Sequence, residues 1–283
     1  MNRWHIGDVN ITRVVEVEGP MPAAFLFSEA TRDRLETHAH WLRPRFLNDD
    51  GFLIGSIHAF VIESSGRRIV VDTCVGNDKQ RANPHWSNLQ GPFLSDLAEA
   101  GFPRETIDTV LCTHLHVDHV GWNTMLVGNR WVPTFPNARY LFSRAEWEYW
   151  RQVPDNRDGD VIGDSVRPIL EAGLADLIEP HHRITDEVWL EPTPGHTPGH
   201  ASVHIQSRGT EAVITGDLMH HPVQCAEPEW QNKFDVDASA ARETRRQFLA
   251  RYADGPVLIF GTHFATPTAG RIVRSGDTWR FEA

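Results

Sequence analysis

Four apolar runs in this chain each end in a turn that carries histidine or aspartate: "VLCTHLHVDH" at 110–119, "EPTPGHTPGH" at 191–200, "AVITGD" at 212–217 and "VLIFGTH" at 257–263. In the last three, a glycine stands one or two residues before the polar side chain, which allows a tight turn and close backbone approach. A structural histidine needs one or two hydrogen-bond partners and gains nothing from histidine neighbours. Neutral imidazoles and carboxylates converging on one point are what a borderline divalent metal prefers. A metal site of that kind needs these turns to converge on one point. In an extended segment, residues two apart share a side. Leu115 and Val117 then face the core, while His114, His116 and Asp118 face a common cavity, joined by His119 if the chain turns there.

The rest of the pattern supplies the sheets. "VNITRVVEVEG" reads as a strand, and "SIHAFVIES" and "RRIVVDTCVG" as a hairpin closed by "SGR", its second strand running into Asp72. Between them, residues 20–55 interrupt the strands with aromatics, prolines and one short helical stretch. "PFLSDLAEAG" predicts a short helix with Ser95 as its cap and Gly101 closing it. "IDTVLCTHLH" predicts a buried strand that delivers the histidine cluster. "ARYLFSRAEWEYWRQ" is a strand running into a helix, the polar "PDNRDGDVIGDS" breaks the pattern, and "VRPILEAGL" is helical again. Strands return in "VWLEPTPGHTPGHASVHIQS" and "EAVITGDLMH". A helix fills "DASAARETRRQFLARYAD", started by Asp237 or Ser239 and followed by Gly255. "PVLIFGTH" and a terminal hairpin, "GRIVRSGDTWRFEA", close the chain. Two groups of strands with helices between and after them predict packed sheets under helices, an α/β fold. With no repeat and no long linker, a single domain over 1–283 is expected, with insertions near 20–55 and 144–180.

The pattern H-x-H-x-D-H (His114, His116, Asp118, His119), followed by separate His196, Asp217 and His263 segments, resembles the metallo-β-lactamase fold superfamily of hydrolases. The resemblance implies an αββα four-layer sandwich of two mixed β-sheets flanked by helices, with a dinuclear site at one edge. It implies that His114, His116 and His196 hold one divalent ion, that Asp118, His119 and His263 hold the other, and that Asp217 bridges them. A hydroxide between the ions is then the nucleophile, and zinc is the expected metal. Asp72, ending its strand as an aspartate does in this superfamily, is expected to support the ligand loop. Lactonases of the superfamily carry a tyrosine three residues after the bridging aspartate. Here His220 takes that offset, as in the methyl parathion hydrolase branch, and is expected to contact substrate. His200 and Cys112 are expected to be structural, the first as a hydrogen-bonding residue and the second as an apolar filler.

Composition narrows what such a site acts on. A net charge of −11, with no block of Lys or Arg, disfavours nucleic acid as a partner. No apolar run approaches a membrane span, and the first residues show no signal-peptide pattern. Three cysteines without C-x-x-C fit a reducing compartment, so a cytoplasmic location is expected. The aromatics Phe25, Phe27, Trp41, Phe46, Trp147, Tyr149 and Trp150 either line a substrate pocket or form core or the seam of a homodimer. The expected activity is hydrolysis of a lactone or ester of a small, hydrophobic compound, with Asp118, Asp217 and His220 as catalytic residues. A phosphotriester hydrolase is the alternative. A thioesterase, a β-lactamase and an iron-dependent persulfide dioxygenase rank lower, since no basic cluster follows His263 and the two-site ligand set is complete.

Overall fold

The computed structural model describes residues 2–154 and 158–283. The chain opens with an antiparallel ladder of β1 (Asn2–Ile6), β2 (Val9–Met21), β3 (Leu53–Ser64) and β4 (Arg67–Val71). β5 (Thr109–Leu111) then pairs parallel to β4. A small hairpin, β6 (Thr124–Val127) and β7 (Arg130–Pro133), stands apart. β8 (Arg139–Ser143) and β9 (Ala175–Ile178) complete a seven-stranded mixed sheet. The second sheet has six strands: β10 (Val188–Pro192), β11 (Ala201–Ser207), β12 (Thr210–Ile214), β13 (Leu258–Phe260), β14 (Ala269–Ser275) and β15 (Thr278–Glu282). Only β12 and β13 pair parallel in it.

Alternation along the strands builds three apolar layers. On β3, Phe60 and Ile62 point between the sheets, where they meet Val203, Ile205 and Ile214 of the second sheet. Ala59 and Val61 point outward against the first helical layer. That layer holds α3 (Phe93–Glu99) and α5 (Arg167–Glu171), with α4 (Arg144–Trp150) packed by its tryptophans. On β12, Ile214 likewise faces inward while Val213 faces α1 (Ala23–Leu26), α2 (Arg32–Leu42), α6 (Val223–Ala226) and α7 (Ala238–Tyr252). Strands buried on both faces read as unbroken apolar runs, as "VLIF" does. The result is the four-layer αββα sandwich expected from the sequence.

Several local expectations change. Ser95 does not cap α3: Pro92 occupies the cap position and the Ser95 hydroxyl donates back to its carbonyl at 2.7 Å. The strand expected over 107–116 stops at Leu111, because the Thr113 N–H turns to the Asp72 carboxylate at 2.8 Å instead of a strand neighbour. His114 and His116 therefore sit on a loop, although Leu115 and Val117 do face the core. Residues 20–55 hold two helices, α1 and α2. β1, β9 and the β6–β7 hairpin were not anticipated, and β9 pairs with β8 to extend the first sheet. Asp237 caps α7 by accepting from Ser239 and Ala240. Within the polar stretch 154–165, residues 155–157 lie outside the described ones, and Ile162–Val166 forms a π-helical turn.

The parallel pairs matter most for function. β4 with β5, and β12 with β13, end at the same edge, so Asp72, the 113–119 loop, Asp217 and His263 emerge side by side. The end of the 113–119 loop is pressed onto the segment leaving β4. The Gly121 N–H donates to Cys74 O at 2.7 Å, and a β-carbon at 121 would stand 1.8 Å from Val75 O. Gly121→Ala is therefore expected to destabilise the fold by about 1–3 kcal/mol through overpacking. A urea titration should show a lower midpoint at unchanged slope, and an unshifted midpoint would contradict this contact.

Candidate metal centre

Asp217 stands at the middle of the edge, in a 3-10 turn directly after β12, and is 3% exposed. Gly216 before it has φ +56°, a left-handed conformation that a side chain resists, so this glycine sets the direction of the aspartate. The two carboxylate oxygens face different groups. Oδ2 lies 3.0 Å from His220 Nε2, 3.3 Å from His196 Nε2 and 3.6 Å from His114 Nε2. Oδ1 lies 3.1 Å from His263 Nε2 and 3.3 Å from His119 Nε2. His116 completes the first group, its Nδ1 at 3.0 Å from His114 Nε2 and 2.9 Å from His196 Nε2. Asp118 completes the second, 3.7 Å from both His119 Nε2 and His263 Nε2. The structure thus brings together all seven residues expected as ligands, in two clusters with donor atoms within 4.8 Å of one another.

The donor geometry fits a metal pair. In the first cluster three ring nitrogens converge at 2.9–3.0 Å steps, and in the second the two ring nitrogens lie 3.2 Å apart. A ring N–H between two nitrogens satisfies one contact and leaves the remaining lone pairs opposed. Ligands about 2.0–2.1 Å from one tetrahedral zinc lie about 3.3 Å from each other, which is close to this spacing. Burial, reinforced by neighbouring imidazoles, pushes His114 and His116 well below the ordinary histidine range, which leaves them neutral with free lone pairs. Burial alone would also neutralise Asp217, yet His119, His263, His220 and His114 hold its carboxyl far below the carboxylate range. Against the pull of burial, Asp217 and the neighbouring carboxylates in turn raise His119 and His263 and push His196 up to about 9, so these rings hold protons whose place a cation can take.

The outer ring nitrogens are fixed in turn, as metal-ligating histidines require. Asp72, itself at φ +57°, lies 3.0 Å from His119 Nδ1 and accepts the Thr113 N–H and hydroxyl, which matches its expected supporting place. His263 Nδ1 donates to Ser56 O at 2.9 Å, and Ser56 N donates back to His263 O at 3.1 Å. His200 is structural: its Nε2 accepts the Asp217 N–H at 2.8 Å and its Nδ1 donates to Thr193 O at 3.0 Å. Cys112 is a buried filler against Asn123, and all three cysteines are buried and unpaired. Sequence reasoning missed Asp235, whose Oδ1 lies 2.9 Å from His196 Nδ1. The only signal was an aspartate two residues before the α7 cap, which is indistinguishable from a turn residue.

A cavity of about 520 Å³ opens over this edge. Its floor holds His116, Asp118, Asp217, His220 and His263, and its walls include Met21, Phe25, Leu26, Trp86, Trp150 and Phe234. Of the seven aromatics singled out from sequence, Phe25 and Trp150 reach the cavity. Phe27 and Phe46 are buried in the core beside α1 and α2, Trp41 packs on the same cluster, Trp147 packs on the opposite core, and Tyr149 meets Trp150 edge-on. Trp86 and Phe234 were not anticipated.

Residues 54–263 match the family model described as the Metallo-beta-lactamase superfamily. The chain belongs to that superfamily. It is a metal-dependent hydrolase of that superfamily, with two His/Asp clusters placed to hold metal. An N-acyl homoserine lactonase from a Bacillus species is 28% identical over 122 residues, a match covering 43% of this chain and 42% of that protein. The chain thus spans less than half the length of the Bacillus lactonases it matches. Among solved structures, the hydrolase AbOPH of the beta lactamase superfamily superposes with a TM-score of 0.81 at 25% identity, covering 99% of this chain and 96% of the other. AidC, described as a dizinc quorum-quenching lactonase in complex with a product, N-hexanoyl-L-homoserine, shares the fold at a TM-score of 0.79 and 18% identity, covering 99% and 96%.

Because one carboxylate faces both clusters, Asp217→Asn should keep the fold but not both ions, as an amide nitrogen would oppose one set of ring nitrogens. Elemental analysis after dialysis is expected to show fewer than two metal equivalents, with an unchanged circular dichroism spectrum. Retention of both equivalents would show that Asp217 does not join the clusters.

Proposed function

We propose that the protein is a dinuclear metal-dependent hydrolase of lactones or esters with a neutral, apolar acyl part, and that zinc is its metal. The observation that carries this reading is the Asp217 carboxylate divided between two histidine clusters at the floor of an apolar cavity. The names of the relatives support it: a lactonase with a partial sequence match, and a dizinc lactonase of the same fold. Bound in the two clusters, divalent ions supply a Lewis acid for the carbonyl oxygen and make a water acidic enough to attack near neutral pH.

The chain's own residues do the rest. Asp217, with Asp118, places negative charge where it partly neutralises the metals, leaving a floor that is only weakly positive. His220 stacks on His263, with centroids 5.6 Å apart and rings 9° from parallel, and keeps Nε2 at 3.0 Å from Asp217 Oδ2. That position at the cavity floor lets it meet the polar end of a bound substrate. Met21, Phe25, Trp86 and Phe234 offer an apolar wall, and no Lys or Arg lines the cavity among the described residues. An anionic phosphate or nucleotide finds no clamp there, whereas a neutral acyl chain gains about 0.8 kcal/mol for each methylene buried.

Two measurements test this. Against lactones and aryl esters of increasing acyl length, kcat/KM should climb by about fourfold per methylene until the cavity is filled, with chelators abolishing turnover and Zn²⁺ restoring it. Faster turnover of phosphotriesters than of every lactone and ester would install phosphotriester hydrolysis in its place, and β-lactams as best substrates would sink both. His220→Ala should lower kcat/KM by about 10- to 1,000-fold at unchanged metal content. If metal content falls with it, His220 is a ligand instead of a substrate contact.

A further inference from the structure

Outside the ligands, one side chain grips both halves of the first cluster. Glu146 lies in the first turn of α4 and is fully buried. Among the described residues it has no cationic partner. Its oxygens accept N–H groups instead: Oε2 takes the Leu115 N–H at 3.0 Å and the Trp150 indole N–H at 2.8 Å, and Oε1 takes the Gly199 N–H at 2.7 Å. Leu115 is the residue between His114 and His116, and Gly199 follows His196 by three. A single carboxylate therefore ties the histidine loop of the first sheet to that of the second. Burial disfavours the ionised form and raises its pKa, while the neighbouring Thr197 side chain and then these N–H donors pull the other way.

The second loop shows the same contact from its own side. A β-carbon on residue 199 would stand 2.6 Å from Ser143 Oγ and 2.7 Å from Glu146 N, so the 196–200 turn is pressed onto the start of α4 with no room for a side chain. The third donor, Trp150, carries the contact to the cavity: its ring meets the His116 ring edge-on at 5.0 Å and lines the wall. The second cluster is held by other groups. Thr73 N donates to His119 O at 2.8 Å, Asp72 lies against the His119 ring, and Ser56 holds His263.

We propose that Glu146 is the positioning residue of the first cluster, setting the spacing of His114, His116 and His196 by bolting their two loops to one helix. The inference rests on reading those histidines as metal ligands. Glutamine at 146 cannot substitute: in either orientation its NH₂ group opposes the Gly199 N–H or opposes those of Leu115 and Trp150. It follows that Glu146→Gln weakens one metal position and spares the other.

The test loads purified wild-type protein, Glu146→Gln and Gly199→Ala with two equivalents of Co²⁺. It then follows release to a chelator, with the visible cobalt spectrum reporting coordination. Each variant should give up one ion at about 10- to 100-fold lower chelator strength than wild type, the change expected for an outer partner of a ligand, with the second ion unmoved. The double variant should lose little more than either single one, because both break the same contact. A general loss of stability would move both ions together, and that result overturns the proposal, as does wild-type release from both variants. A Glu146→Gln chain too unstable to purify leaves Gly199→Ala to decide the matter alone. Wild-type protein that binds no cobalt overturns the metal reading and this inference with it, whereas wild type binding two ions beside unchanged variants overturns this inference only.

Discussion

The structure turns on a buried anion. Asp217 sits almost without solvent among five imidazoles, and an isolated carboxylate there would cost several kcal/mol after relaxation. Its neighbours are arranged to remove that cost. Each oxygen faces its own set of ring nitrogens, and acceptors stand behind three of those rings: Asp72 beside His119, Asp235 behind His196 and the Ser56 carbonyl behind His263. Donors and acceptors thus alternate outward from the centre. This is why distant parts of the chain, from Ser56 to His263, must meet at one edge.

The two sheets are the means of meeting. Each contributes a parallel pair whose carboxyl ends open at the same place, β4 with β5 and β12 with β13. Open α/β sheets offer ligands that same location, beyond the carboxyl ends of parallel strands. The ligands therefore rest on short strands buried at their carboxyl ends, while the cavity walls come from other material: the end of β2, α1, the loop around Trp86, and Phe234. The rigid parts fix the chemistry and the peripheral parts choose what reaches it, which is why membership of the superfamily does not name a substrate.

This division also explains what could be read from the sequence. Ligand residues belong to a narrow chemical set and fall where an apolar run meets a turn, so His114 to His263 stood out, as did Asp72 at the end of "VVD". Supporting carboxylates carry no such mark. Glu146 is one acidic residue on a helix rich in aromatics, and only the fold shows that its partners are backbone N–H groups from two loops. Strand ends were misjudged for a related reason. The alternation that puts Leu115 and Val117 inside continues beyond Leu111, although the ladder has already stopped, because side-chain alternation needs extended backbone and no hydrogen-bonded neighbour. Among the aromatics, Phe25 and Phe27 sit two residues apart around a four-residue helix, and that offset sends one to the cavity and the other into the core. No composition count separates them.

The apolar walls and the charged floor are parts of one device. Electrostatic interactions strengthen as water is excluded, so the same rings that would hold an acyl chain also raise the effect of any charge at the floor on a carbonyl oxygen. With no Lys or Arg among the described lining residues, the walls bring no fixed cation to a carbonyl oxygen. A substrate that brought its own negative charge would find no counter-charge on the walls. With divalent ions held in the two clusters, one that develops negative charge only as it reacts would meet a weakly positive floor when it matters most. That asymmetry, stronger interaction with the reacting state than with the bound one, is the condition for rate enhancement. Within the proposed reading, it is the reason to favour neutral acyl electrophiles.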